Sequence, residues 1–375
     1  MNANFGPSPD PDSAELLMSE ARRILGSAAP ASSLRLTGSV AVQLRCPRFG
    51  AIARPGRDIR DIDFVAYKRE ARLVQQLLTG ASLIALLGVG ETLVIVTRNV
   101  DLSVGSVLGL CAFVVGNLFR HQHIPVWSGF VIAVALGAAI GAVNGLITTI
   151  ARVPSLVVTL AMLYIIRGVD AKLVSGSIVV PSQVPSAFAA VGYRTVLGIP
   201  WLAIIVAVVV AAVAYAMRSF RSGRELYAIG SNPEAATLAG IPSGRRVFMA
   251  FVASGALAGL GGALFLALFA QVDNSAGIGY ELNVIAAVVV GGVAIFGGSG
   301  TVVGAALGAL LLNTIQQALV AVRSSSFWSE AIAGALLLAA IAFDRWLALR
   351  VARGLRSAEG AHRDLPVASA RGSSP

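Results

Sequence analysis

Charge is scarce in this chain. Of 375 residues only 13% are Asp, Glu, Lys or Arg, against about 25% in soluble globular domains. Hydrophobic residues make up 56%, and the mean hydropathy is +0.78. Those values exclude a soluble globular protein and define an integral membrane one. Lysine is nearly missing: of the 29 basic residues only Lys68 and Lys172 are lysines. Neither follows the glycine that a phosphate-binding loop places before its lysine, so no ATP-binding cassette lies in this chain. Cysteine is limited to Cys46 and Cys111 and histidine to His121, His123 and His362. A metal site is therefore not expected, nor is a cofactor. Cys111, in an apolar run, reads as a small buried thiol.

What is present is a series of nine apolar runs, at about 80–97, 102–119, 126–150, 155–169, 200–217, 247–270, 283–297, 301–322 and 328–347. Several approach the ~20 residues that cross a bilayer, while 155–169 and 283–297 are short and are expected to be broken or tilted. Trp127, Trp201, Trp328 and Trp346 sit near run ends, as interfacial anchors do. Small residues recur at helical spacing: Gly137, Gly141 and Gly145, Gly255 with Gly259, and Gly304 with Gly308. That spacing points to close helix packing, with hinge surfaces of a gate as the alternative.

Arginine sets the orientation. The interval 218–246 carries Arg218, Arg221, Arg224, Arg245 and Arg246, and the C-terminal part carries Arg345, Arg350, Arg353 and Arg356; both belong on the cytoplasmic side. The segment 170–199, with only Lys172 and Arg194, faces outward. Counting back through the runs puts residue 79 outside, whereas Lys68, Arg69 and Arg72 favour inside. Replacement of an initial span by the N-terminal segment, or failure of 80–97 to cross, would reconcile the two.

Within the basic interval lies a short, fully punctuated helix. Asn232 or Ser231 caps it, Pro233 suits its first position, and Glu234 meets the positive end of the helix dipole. Gly240 supplies the left-handed stop and Pro242 prevents continuation. The span between these signals is roughly 10 Å of helix, well short of the ~12–15 residues an isolated helix needs in water. It requires a partner surface.

The first 79 residues differ in character. Ser13–Leu25 suits an amphipathic helix, Leu34–Val42 a strand with a Gly38-Ser39 turn, and Asp61–Val65 a second strand with Asp61 and Asp63 on one face. A Gly-Ser pair followed by Asp-x-Asp resembles the nucleotidyltransferase superfamily over about residues 12–78. That resemblance implies magnesium held by Asp61 and Asp63, but a third carboxylate is missing. A truncated fragment or a solvated segment is the competing reading.

Three ordered stretches carry a second resemblance. They are Thr97-Arg98-Asn99-Val100-Asp101-Leu102-Ser103-Val104-Gly105-Ser106, the short helix with its flanks from Gly223 to Pro242, and Gly279–Gly292 continuing to Phe296-Gly297-Gly298-Ser299-Gly300-Thr301. Over about residues 80–350 the chain resembles the permease subunits of ribose-type ABC importers, most closely the branch with autoinducer-2 and rhamnose permeases. The resemblance implies an all-α polytopic protein of the cell (plasma or inner) membrane, with about nine transmembrane helices in a type II ABC importer-like bundle. That is one span fewer than the family's usual set, with a small α/β-like fragment ahead of it. It implies a second permease subunit, cytoplasmic ABC ATPase subunits and an extracytoplasmic solute-binding protein as partners, with the lipid bilayer and without nucleic acid. The chain itself would not be an enzyme. Its short helix, near 232–240, would seat on the ATPase through Asn232, Pro233, Glu234, Ala235, Ala236 and Gly240.

Polar residues within the apolar runs need a reason. Glu91 either bonds the broken backbone near Asn99–Asp101, faces the solute path or makes a packing hydrogen bond. Asp101 or Ser103 caps the run from 102, with a direct substrate role as the alternative. Asn144, Asn313 and Gln316 suit an uncharged, sugar-compatible path, although interhelical hydrogen bonding is the stronger reading of each. Arg152 and Arg167 read as interface anchors, and Asp273, Asn274 and Glu281 as an outward loop that meets a delivery protein or solvent. Gly291-Gly292 and Gly297–Gly300 lack the lysine of a phosphate loop and read as a sharp turn. The domain expectation is thus 1–79, 80–350 and a disordered basic tail at 351–375. The expected function is inward conduction of a small sugar or autoinducer-2-like solute, with a membrane-tethered nucleotidyltransferase-like protein or a non-functional fusion as alternatives.

Overall fold

The computed structural model describes residues 59–122, 124–174 and 176–321 and isolated positions between 328 and 342, with side chains from residue 73 onward. It divides into two units, Met1–Gln76 and Leu77–Pro375. In the first unit the described residues are helical. Helix α1, Ile59–Ile95, contains Asp61–Val65, so the expected strand is not formed and the shared-face argument for Asp61 and Asp63 does not apply. Alternating acids mimicked a two-residue period in a segment continuous with a long helix. The helix expected at 13–25, the strand at 34–42 and most of the run at 328–347 lie outside the described residues.

The described residues of the second unit are mostly helical. After α1 come α2 (Val104–Gln122), α3 (Val126–Ile150), α4 (Ser155–Val174) and the short α5 (Ser186–Tyr193). A two-residue hairpin, β1 (Thr195–Val196) with β2 (Ile199–Pro200), leads into α6 (Trp201–Ser219). Then follow α7 (Arg221–Ser231), α8 (Pro233–Leu238), α9 (Ser243–Phe269), α10 (Tyr280–Val290) and α11 (Val302–Ala321). Among the described residues six helices are long and apolar enough to cross a membrane: Leu73–Ile95, α2, α3, α6, α9 and Val302–Leu319. Leu73–Ile95 is among them, so length and composition do not keep the first run from crossing. Helix α4 is longer than its apolar run because it continues past 169 through Asp170 and Lys172.

Helices α3 and α9 pack closely along their length. Gly137 and Gly255 face each other so closely that a Cβ on either would overlap the other's carbonyl oxygen. Gly141, Gly145 and Gly259 extend this seam, and Gly304 and Gly308 of α11 make the same close approach to α10. Between helices in lipid, backbone proximity and van der Waals contact replace the hydrophobic driving force. The small-residue spacing is therefore packing. At the outer end Phe188 of α5 is fully buried, with ring centroids 4.8 Å from Phe119 and 4.6 Å from Phe130.

After α9 the chain turns back into the bundle instead of looping over it. Val272 pairs with Val179, whose side chain lies against Gly116 in the last turns of α2. Ala276 lies against Gly109, and Gly277 and Glu281 against Gly105 in the first turn of α2. From Gly116 to Gly105 is about 16 Å along the helix axis. Helix α10 therefore starts deep in the bundle, at Gly279 in the left-handed region (φ 81°). Its 11 residues span about 16 Å, half of a ~30 Å hydrocarbon core. Non-helical backbone at such depth is tolerated where protein buries it. Glu281, expected on an outward loop, instead sits beside Gly105 of α2. Arg167 donates to the Ala276 carbonyl oxygen at 2.7 Å and so fastens the re-entrant segment, not the membrane interface.

Candidate functional site

Helix α8 forms as its residues dictate. Asn232 Oδ1 accepts the Ala235 N–H at 3.0 Å, and Pro233 takes the first helical position. At the other end Gly240 has φ 76°. Its N–H reaches the Thr237 carbonyl and the Ile241 N–H reaches that of Ala236, each at 3.0 Å. Those two bonds are the Schellman arrangement, which only a residue at ease with positive φ completes without strain. The helix is six residues long and has almost no face of its own to bury. Ala236 alone turns inward, and Asn232, Pro233, Glu234, Ala235 and Gly240 are exposed. Leu238, absent from the residues singled out in the sequence, is 90% exposed. It is the one large apolar side chain of α8, and that alone was the available signal.

The limb carrying α8 is braced. Glu225, 7% exposed, accepts Arg221 Nε at 2.7 Å and Arg246 Nε at 2.5 Å. It joins α7 to the first turn of α9 and thereby closes the excursion from both sides. The Arg246 bond above all, then Arg221, holds the Glu225 carboxyl below the ordinary carboxylate range in spite of its burial. Sequence reasoning passed over Glu225 as one acid among arginines.

Four of the expected path residues meet in one buried knot. Glu91 Oε1 accepts the Asp101 N–H at 3.0 Å. Asp101 Oδ1 accepts the Ser103 N–H at 3.0 Å and the Ser103 hydroxyl at 2.6 Å. Asn144 Nδ2 donates to Ser103 Oγ at 2.9 Å, and Ser254 Oγ donates to Asp101 Oδ2 at 3.2 Å. Glu91 and Ser103 are 0% exposed, Asp101 and Asn144 1%. The knot ties α1, α2, α3 and α9 at the link where α1 gives way to α2. Ser254 was missed, since nothing local distinguishes it. Asn99 stands beside the knot with its amide on the Thr97 carbonyl and hydroxyl, both at 3.0 Å. Asn313 donates to the Leu77 carbonyl at 2.9 Å and Gln316 to Asn283 Oδ1 at 3.3 Å. Both are interhelical bonds on α11, away from the knot.

A cavity of about 370 Å³ opens where the chain turns back after α9, lined by Phe265, Phe269, Gln271, Asp273, Ser275 and Tyr280 among others. None of the seven expected path residues lines it. Asp273 accepts both the N–H and the hydroxyl of Ser275, which keeps its carboxyl below the usual range. Among the described residues no group of three or more His, Cys, Asp and Glu gathers as metal ligands would.

An apolar bundle with a half-helix, and a self-capped helical stub held out on a braced basic limb, define a membrane permease subunit. Residues 73–341 match the family described as branched-chain amino acid transport system / permease component, and the chain belongs to that family. It is a multi-pass membrane protein and the permease component of an ABC importer, not itself the catalytic subunit. It is 36% identical over 278 residues to the autoinducer 2 import system permease protein LsrC of Enterobacter sp. (strain 638), covering 74% of this chain and 80% of the relative. It is 34% identical over 280 residues to the proteins of that name from Yersinia pestis (strain Pestoides F) and Yersinia pseudotuberculosis serotype O:1b (strain IP 31758), covering 74% of this chain and 78% of each. No solved structure matches the chain.

Proposed function

We propose that this permease carries a small hydroxylated solute, a sugar or an autoinducer-2-like molecule, into the cell. A separate ATPase drives it by pushing on α8. The observation that carries the reading is α8 itself: preorganised by its caps, braced by Glu225, and exposed on nearly every residue including Leu238. A helix that short is held in shape at the surface to be gripped, and an exposed leucine between Thr237 and Ala239 suits an apolar cleft. Asn232 serves as cap and Ala236 as the inward anchor, which leaves Pro233, Glu234, Ala235, Leu238 and Gly240 for contact. A second permease subunit and an extracytoplasmic binding protein complete the importer, on the analogy of relatives named for autoinducer 2 import.

The outer cavity suits the solute class. Aromatic faces of Phe265, Phe269 and Tyr280 flank the hydrogen-bonding groups of Gln271, Asp273 and Ser275, a mix that takes a compact molecule with both C–H and hydroxyl faces. The buried knot is structural support and not the path. About residues 80–350 form the transmembrane domain, and the segment before it serves no catalytic role in this reading. The test is uptake of radiolabelled autoinducer 2, ribose and leucine by cells that express the chain together with the ABC ATPase and solute-binding protein that co-purify with it. Accumulation of either hydroxylated solute is expected; uptake of leucine alone overturns the solute class.

A further inference from the structure

We propose that Arg98 is the positioning residue through which movement of α8 reaches the buried carboxylate knot and the half-helix α10. The inference rests on the reading of α8 as the surface an ATPase pushes. Three pieces of backbone, far apart in sequence, meet at Arg98. Its Nε donates to the Gly230 carbonyl oxygen at 2.5 Å and its Nη2 to that of Ser231 at 2.8 Å. These are the last carbonyls of α7, left free where the helix ends, and a guanidinium there also meets the negative end of the helix dipole. Ser231 is followed directly by Asn232, the cap of α8. The pull of α8 is thus delivered to Arg98 through one residue.

The third piece is the turn between α10 and α11. The Gly298 N–H donates to the Val96 carbonyl at 2.9 Å, and the Tyr227 hydroxyl donates to the Gly300 carbonyl at 3.0 Å. Gly230 is held so close that a Cβ there would overlap the Val96 carbonyl oxygen. Contact this close leaves no slack. Arg98 itself has φ 65°, a conformation that a branched path of hydrogen bonds must hold in place. Three residues further on, the Asp101 N–H is bonded to Glu91, and Asp101 to Ser103 and Ser254. Displacement of α8 therefore has two routes inward: along 98–101 to the knot that ties α1, α2, α3 and α9, and across Gly298 to α10. The first leaves from the Arg98 guanidinium, and on the second the turn before α11 also packs on the Arg98 stem, where a Cβ on Gly297 would overlap Arg98 Cγ. A fork with two donors in a fixed plane resists rotation as a lysine ammonium does not.

The experiment uses the full chain purified with the ATPase it retains, in nanodiscs, with Cys46→Ser and Cys111→Ala removing the native thiols. Spin labels are placed at Ala239→Cys, the exposed C-cap of α8, and at Ile278→Cys on the exposed re-entrant segment. Wild-type assemblies should shift both labels between the nucleotide-free and the ATP–vanadate states. In Arg98→Ala, ATP hydrolysis and the α8 shift should persist, while the shift at residue 278 falls about tenfold. Arg98→Lys, keeping the charge and one bond, should recover part of it, which guards against a variant that merely folds poorly. An undiminished shift at 278 in Arg98→Ala, or a lysine variant no better than alanine, overturns the proposal. A wild-type α8 label blind to nucleotide overturns it by a different signature, because the ATPase reading then fails first.

Discussion

Asp101→Ala removes an acceptor on which three hydrogen bonds converge: the Ser103 N–H at 3.0 Å, the Ser103 hydroxyl at 2.6 Å and the Ser254 hydroxyl at 3.2 Å. The residue is 1% exposed, so water does not take over the vacated role. The Ser103 and Ser254 hydroxyls can turn to other acceptors, but the Ser103 N–H is fixed by the backbone. One or two donors are left unmet, at about 1–3 kcal/mol each, which gives a loss of about 2–4 kcal/mol. Asp101→Asn keeps Oδ1 for both Ser103 bonds and offers its amide to Ser254 Oγ, so the expected loss is under about 1 kcal/mol. At about 2–4 °C per kcal/mol for a chain of this size class, the alanine variant should melt about 5–15 °C below wild type and the asparagine variant within about 4 °C. The assay is thermal unfolding in detergent, followed by the retained monodisperse fraction. An alanine variant as stable as wild type refutes the knot as structural support. An asparagine variant as damaged as alanine refutes it in another way, by making the charge and not the bond geometry essential.

Further outcomes are expected elsewhere. Gly255→Val places methyl groups where the Gly137 carbonyl already sits; backbone must move, at more than the ~1–3 kcal/mol of ordinary overpacking, so size-exclusion profiles should show little folded protein. Leu238→Asp and Glu234→Arg should abolish retention of the ATPase in affinity purification while leaving insertion and melting unchanged; an intact complex with both substitutions counts against α8 as the contact. Glu225 gives a pH dependence. Its carboxyl is depressed in the folded state, so the brace is fully present above the ordinary glutamate range near about 4.3 and is lost as pH falls through the lower, folded value. Proteolytic nicking between α7 and α9 should therefore rise only at strongly acid pH, and Glu225→Gln should nick readily at neutral pH with no such acid step.

Local rules made α8 readable before any coordinates. Asn232, Pro233, Gly240 and Pro242 act within one helical turn of the groups they satisfy, so the sequence fixes start, stop and shortness together. Hydropathy likewise placed α2, α3, α6 and α9 within a few residues, because a bilayer demands length and apolarity of each span separately. The same local reasoning misfired at Asp61–Val65, where two acids one residue apart imitate a strand inside a helix. It also put Glu281 on a surface loop, since a chain that dives back beside α2 carries no local mark of its depth.

The amino-acid sequence on its own therefore determined a membrane bundle with a capped stub on a basic limb, since each of those properties is settled by neighbours along the chain. Which groups meet was decided by the tertiary structure alone. Ser254 reaches Asp101 across 153 positions and Arg98 reaches Gly230 across 132, and such pairs exist only once helix packing at Gly137 and Gly255 has set the distances. Hydrogen bonds of that kind depend on a few tenths of an ångström of backbone placement, and no window of sequence contains both partners.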